Sequence, residues 1–144
     1  MTRSRPRELT DTDFERLLEF RDGLRHLLRW SEEQARAAGV TPAQHQLMLA
    51  VRGHGAAPSV SEIADHLLLR HHSAVELVDR ATRAGLVARV ADEGDQRVVR
   101  VVQTPLGEER LHGLAAAHLE ELSRFGPRFS ALWSDLPPLT VDDA

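Results

Sequence analysis

The sequence predicts a mainly α fold with one small β-hairpin. Three observations predict it. Apolar residues recur at helical spacing through most of the 144 residues. Two short helical segments joined by a tight turn are capped and stopped by the residue types that do so elsewhere. A single run of β-branched residues surrounds a turn rich in Asp and Gly.

The elements follow in order. Residues 12–38 read as a long helix, with Thr12 and Glu15 at capping-box spacing and Phe14, Leu17, Leu18, Leu24, Leu27 and Leu28 on its apolar side. Gly39 ends it. A second helix starts at Thr41-Pro42, a cap followed by proline at the first helical position, and closes at Gly53 to Gly55. The third opens on the capping box Ser59-Val60-Ser61-Glu62 and carries Ile63, Ala64 and Leu67 inward. After a short break around Leu69 and Arg70, a fourth runs from about His71 to Ala84, stopped by Gly85. LVARVADEGDQRVVRVVQ then changes period and reads as a hairpin turning at DEGDQ. Thr104-Pro105 caps a fifth helix with Leu111, Leu114, Ala115, Leu122 and Phe125 on one side. Gly126-Pro127 is expected to break it. A short sixth helix is expected to hold Phe129, Leu132, Trp133 and Leu136, before a frayed Pro137-Pro138 and acidic tail.

A helix-turn-helix followed by a hairpin is a winged helix-turn-helix. The expectation is one domain, with a winged lobe over 41–105 flanked by N- and C-terminal dimerisation helices, 12–38 and 106–136. The outer helices are long and amphipathic, and one small core cannot cover both. Their stripes can pack against each other within one chain, as a monomeric bundle, or against the same stripes on a second chain; the second, an isologous homodimer, is the expectation.

Composition narrows the chemistry. At 42% hydrophobic and 28% charged the chain is globular, and with 4% aromatics its core must come from Leu, Val and Ala. No apolar run approaches the roughly 20 residues of a membrane span, and the charged start MTRSRPRELTD does not resemble a signal peptide, so a cytoplasmic location is expected. The absence of cysteine excludes disulfides, thiolate metal sites and thiol redox chemistry. All 18 basic residues are arginine, yet the net charge is −4, so any nucleic-acid contact must come from a local patch. No nucleophile has a base nearby in sequence and no glycine-rich phosphate loop exists, so neither an enzyme nor a cofactor is expected.

The stretch from about Pro42 to Gly107 resembles the multiple antibiotic resistance regulator (MarR) family of bacterial transcription factors. The matching pieces are TPAQHQLMLAV, SVSEIADHL, HHSAVELVDRATRAGLVARV, DEGDQR at the wing tip and VVQTPLGE leading out. LVDR followed by AGLV, an acidic wing with D-x-R, and T-P-x-G form the specific part, over a little under half of the chain. The resemblance implies a homodimer with interlocked outer helices, fourth helices in successive major grooves of an operator duplex, and wings over the minor groove. It implies that Arg97 reaches into that groove, positioned by Asp95, and that a small-molecule effector changes the separation of the two reading lobes. Two features depart from the pattern: Glu76 stands on the DNA face, and the sixth helix is short.

Spacing gives the DNA face a content of its own. Burial of Ala74, Leu77, Val78 and Ala81 at i, i+3, i+4 and i+7 turns His72, Ser73, Glu76, Arg80 and Arg83 outward. His71, His72 and Ser73 occupy the first turn, whose free N–H groups and positive helix end favour phosphate. Ser73 suits most bases, and Glu76 can accept from cytosine N4. Arg89 and Arg100 are candidates for phosphate contacts or for pairing across the strands. Residues 70–110 hold seven arginines and seven acids, so binding is expected to depend on geometry more than on bulk charge. Nearby phosphates favour protonated imidazole, so operator binding is expected to tighten as pH falls from about 8 to 6.

The other histidines are dispersed. His72 and Glu76 share a helix face but lack a third ligand of good angle. His45 could meet His112 or His118 if the second and fifth helices touch. A metal-sensing regulator of the same fold therefore stays open beside the ligand-responsive repressor, as does a winged helix used only for protein contacts. For a small-molecule effector the candidate lining residues are His26, Trp30, His45, Met48 and His112, between the outer helices and the lobe.

Overall fold

The first element, α1, runs over Asp11–Ala37, and the others follow as α2 (Pro42–Gly53), α3 (Val60–Leu67), α4 (His71–Arg83), β1 (Val87–Ala91), β2 (Val99–Gln103) and α5 (Pro105–Ala131). The structure, a computed structural model, describes residues 8–135. The described residues form two compact units, one from 8–30 and 119–135 and one from 31–118. The architecture is mainly helical with a single two-stranded antiparallel sheet, as the sequence predicts.

In the second unit the core is aliphatic. Leu47, Met48, Ile63, Val78, Val87 and Val101 are fully buried, which joins α2, α3, α4 and the hairpin around one centre. The pattern predicted for α4 holds: Ala74, Leu77, Val78 and Ala81 are its buried residues. Capping boxes start α2 at Thr41 with Gln44 and α3 at Ser59 with Glu62. The wing pairs Val87 with Gln103 through Ala91 with Val99. It gains a partial third strand, because Ser59 bridges Arg100 and the Val101 N–H donates to the Pro58 carbonyl at 2.9 Å.

The T-P-x-G stretch closes the wing on itself. Thr104 Oγ1 donates to the Gly85 carbonyl at 2.6 Å, and the Thr104 N–H donates to the Leu86 carbonyl at 3.1 Å. Gly107 lies so close to that strand that a Cβ on it would stand 2.0 Å from Leu86 O. Only glycine fits there.

The first unit is held by rings. Phe20 meets Phe129 and Trp133 edge-on at 5.8 and 5.5 Å, and Phe125 lies 5.0 Å from Phe129. Gly23 makes room for this cluster, since a Cβ there would come 2.8 Å from Phe129 Cζ. Arg16 pairs with Asp135 at 2.8 Å and Arg128 with Glu19 at 3.5 Å.

Two sequence expectations are corrected here. The helix does not break at Gly126-Pro127: α5 continues to Ala131 with Pro127 inside it, and residues 132–135 are turns. Proline removes one helical N–H and crowds the preceding turn, but Phe125 before it and Phe129 after it stay packed in the same ring cluster. There is thus no separate helix over Phe129, Leu132 and Trp133; Leu136, Pro137, Pro138 and the tail lie outside the described residues. The first cap is also two residues earlier than expected. Thr10 and Asp13, not Thr12 and Glu15, close it, with the Thr10 N–H donating to Asp13 Oδ2 at 2.9 Å. Both pairs have the right spacing, and the earlier one starts the helix at Asp11.

Candidate nucleic-acid interface

The candidate surface is built from two backbone ends. The first is the start of α4. Arg70 precedes it in extended conformation and offers no side-chain cap, so the first-turn N–H groups of His71, His72 and Ser73 are left to an outside acceptor. His71 and His72 are exposed and Ser73 is half-buried, while the aliphatic underside fixes the helix to the core. Farther along, Glu76 and Arg80 pair at 3.5 Å, both well exposed. Arg83 is exposed and has no ion pair among the described residues.

The second is the wing turn. Asp92 Oδ2 accepts from the Gly94 and Asp95 N–H groups at 3.0 and 2.9 Å, which shapes the turn. Asp95 then grips Arg97 three ways: the Arg97 N–H and Nε donate to Oδ1 at 3.0 and 3.1 Å, and Nη2 donates to Oδ2 at 3.2 Å. The Arg97 hydrogen bonds hold the Asp95 carboxyl below the usual carboxylate range. Arg97 nonetheless keeps 92% of its side chain exposed. It is an aimed cation at a fixed root, and the Asp95 pairing is in place before any ligand arrives.

Between these two ends lies a groove of about 440 Å³, bordered by His71 and Val75 of α4, Arg89 and Val99 of the strands, and Arg97. Ser59, Val60 and Ser61 complete it. Arg89 is tied to Asp79 of α4 by an ion pair.

Arg100 does something the sequence did not reveal. Its Nε donates to Asp92 Oδ1 at 2.7 Å, and its Nη1 donates to the Ala57 carbonyl at 3.0 Å and to Glu62 at 3.2 Å. Of the two roles open to Arg100, phosphate contact or pairing, the structure shows a pairing, an internal brace between the wing turn and the start of α3. Arg100 holds Asp92 below the ordinary carboxylate range, and hydrogen bonds from Ser59 do the same for Glu62. The signal was the bridge between Ser59 and Arg100, which depends on a strand partner 41 residues away and leaves no local pattern. Glu62 also pairs with His54, whose Nδ1 lies 2.8 Å from His66 Nε2.

The remaining candidates are placed as follows. His45 is 8% exposed and its ring lies 4.9 Å from that of His118, so α2 and α5 do meet there, through His118 and not His112. His118 Nδ1–H donates to the Leu114 carbonyl at 2.7 Å, and its Nε2 lies 2.6 Å from the Ser31 hydroxyl oxygen. Burial, and then the neighbouring His118, push His45 below its ordinary value. Among the described residues no group of three His, Asp or Glu side chains is placed to hold a metal ion. Met48 is fully buried, Trp30 is half-buried and His112 is exposed. His26 borders a cavity of about 610 Å³ in the first unit, with Leu18, Phe125, Phe129 and Leu132.

The lobe that carries this surface has a known pattern: residues 38–98 match the model of the MarR family. That segment, a little under half of the chain, is similar to the MarR family. It is a family of transcription regulators, not of enzymes. Among curated proteins, the HTH-type transcriptional repressor MdtR of Bacillus subtilis (strain 168) is 28% identical over 93 residues, 65% of this chain and 59% of the relative. The chain thus matches less than two thirds of that relative's length. Among solved structures, a MarR family transcription regulator superposes with a TM-score of 0.72 at 21% identity, covering 85% of this chain and 80% of the other. A mutant of E. coli MarR complexed with operator DNA superposes at 0.59 with 19% identity, covering 85% and 81%. At these identities the solved structures establish the MarR winged-helix fold. Among the described residues no helix is long and apolar enough to cross a membrane.

Proposed function

We propose that this MarR-family chain is a cytoplasmic, dimeric repressor that binds a pseudo-palindromic operator. The observation that carries the reading is the pairing of an uncapped α4 start with Arg97, held by Asp95 yet 92% exposed. A free helix N-terminus and a fixed, projecting guanidinium suit one polyanion with two grooves. His71, His72 and Ser73 would meet the major groove edges, and Arg83 a phosphate. Glu76, countered by Arg80, would discriminate among bases without repelling the backbone.

The dimer follows from what α1 and α5 leave uncovered. Leu17, Leu18, Leu28 and Leu119 are each about 60% exposed or more, an apolar surface that a second copy of the same helices would bury. Two lobes related by a two-fold axis would read half-sites about 10 bp apart. The cavity at His26 is of the size that small ligands occupy, and we assign the effector response to it.

The test is binding of the purified protein to the duplex upstream of its own gene, followed by fluorescence anisotropy in rising salt. A pseudo-palindromic footprint protected by two copies supports the reading. Equal binding to unrelated duplexes, or none at all, defeats it.

A further inference from the structure

Three helices of the second unit end in the same way. In α1 the Gly39 N–H donates to Arg36 O and the Val40 N–H to Ala35 O; in α4 the Gly85 N–H donates to Thr82 O and the Leu86 N–H to Ala81 O. In α3 the Leu68 N–H donates to Asp65 O and the Leu69 N–H to Ala64 O. Each stop needs one residue in the left-handed region, here φ 77° at Gly39, 75° at Gly85 and 54° at Leu68. Glycine fills that position without strain, and leucine does not. Leu68 is the one positive-φ residue other than glycine among those described.

Packing does not explain the leucine. The stop turns the following residue inward: Val40 and Leu86 are buried, and Leu69 is 38% exposed. The residue in the left-handed position faces away from the core, and Leu68 is 92% exposed. Its side chain thus strains the backbone and contributes nothing to the interior. Its position explains it better. Leu68 lies in the turn of the helix-turn-helix, three residues before His71. A chain of three residues spans at most about 11 Å, within the roughly 12 Å width of a major groove. Arg70, His71 and His72 follow it, exposed, at the uncapped end of α4.

We propose that Leu68 is a specificity residue of the DNA interface, making an apolar contact with the 5-methyl group of a thymine at the edge of the groove that receives α4. This rests on the DNA-binding reading above. An aliphatic side chain distinguishes thymine from the other bases by that methyl group. Truncating it at the turn would leave the rest of the interface in place.

The experiment uses the full chain and the duplex that the wild type selects from a random pool. Each thymine of that duplex is replaced in turn by deoxyuridine, which lacks only the methyl. The wild type should lose about threefold to tenfold in affinity at one thymine per half-site. Leu68→Ala should bind the thymine duplex as weakly as the wild type binds the deoxyuridine duplex, and should be indifferent to the replacement. Leu68→Gly should melt about 2–4 °C higher than the wild type, because the strain is relieved. Unchanged affinity in Leu68→Ala, or an equal loss on both duplexes, would overturn the methyl contact while leaving DNA binding intact. A lower melting temperature in Leu68→Gly would show that the leucine serves the fold and would also overturn it. Failure of the wild type to select any duplex would remove both this proposal and the reading beneath it.

Discussion

The Arg100 guanidinium lies 2.7 Å from Asp92 and fastens the wing turn to the beginning of α3 through Glu62. Arg97, five residues beyond Asp92, inherits its position from that joint, because Asp92 also accepts from the Gly94 and Asp95 N–H groups. Arg100→Gln should therefore weaken operator binding about as much as loss of Arg97 itself, although the Arg100 guanidinium is engaged by Asp92, Ala57 and Glu62. Hydrogen exchange should show faster exchange at Gly94 and Asp95 in the variant. Acid should reproduce the effect. The folded Asp92 carboxyl is held below its ordinary value of 3.8, so its contribution is complete above that value and is lost as pH falls through the lower, folded one. Unchanged exchange in the wing of Arg100→Gln would show that the brace is not what orders it.

Arg97→Ala separates recognition from folding. The side chain is 92% exposed and pairs with Asp95, and exposed pairs contribute little to stability. The melting temperature and the state of association should stay as they are. Operator affinity should fall by roughly 1–3 kcal/mol. Asp95→Asn should lose less, since the guanidinium remains but its aim is relaxed. Titration by fluorescence anisotropy checks both, and equal affinity in all three proteins would remove the wing from the interface.

Much of this was legible in the sequence because it is local. The apolar period of α4, the Ser59 box, the Thr41 cap and the D-x-R turn each lie within a few residues, and each holds in the structure. Three things were not legible. Two overlapping caps, Thr10 with Asp13 and Thr12 with Glu15, compete on equal terms in sequence, and packing beyond the cap decides. Pro127 signals a break that the Phe20, Phe125 and Phe129 rings override. The role of Arg100 depends on Ala57, Glu62 and Asp92, which meet only when the hairpin folds against α3.

Gly107 and Gly113 stand on the same helix and should respond oppositely to one methyl group. A Cβ at Gly107 would meet Leu86 O at 2.0 Å, a backbone atom that cannot move without opening the wing. Gly107→Ala should destabilise the protein by about 2–3 kcal/mol or more. At Gly113 nothing lies within 4 Å. Gly113→Ala should stabilise it by up to about 1 kcal/mol, the difference in helix propensity. Urea denaturation of both variants measures the contrast. A Gly107→Ala protein as stable as the wild type would mean that α5 does not approach β1 as closely as described.

His45 should make stability depend on pH near neutrality. It is buried beside His118, and burial first, then that neighbour, lower its proton affinity in the folded chain. The unfolded chain takes up the proton near the ordinary value of 6.5. Between the two values the unfolded state binds more protons, so stability rises with pH there. Stability should be full above about 6.5 and should decline as pH falls below it, until the folded value is reached. His45→Gln, which cannot charge, should flatten the decline between about pH 7 and 5 even where its stability at neutral pH is lower. Thermal melts across that range measure the slope directly. A wild type and a His45→Gln variant with parallel profiles would place the proton uptake elsewhere.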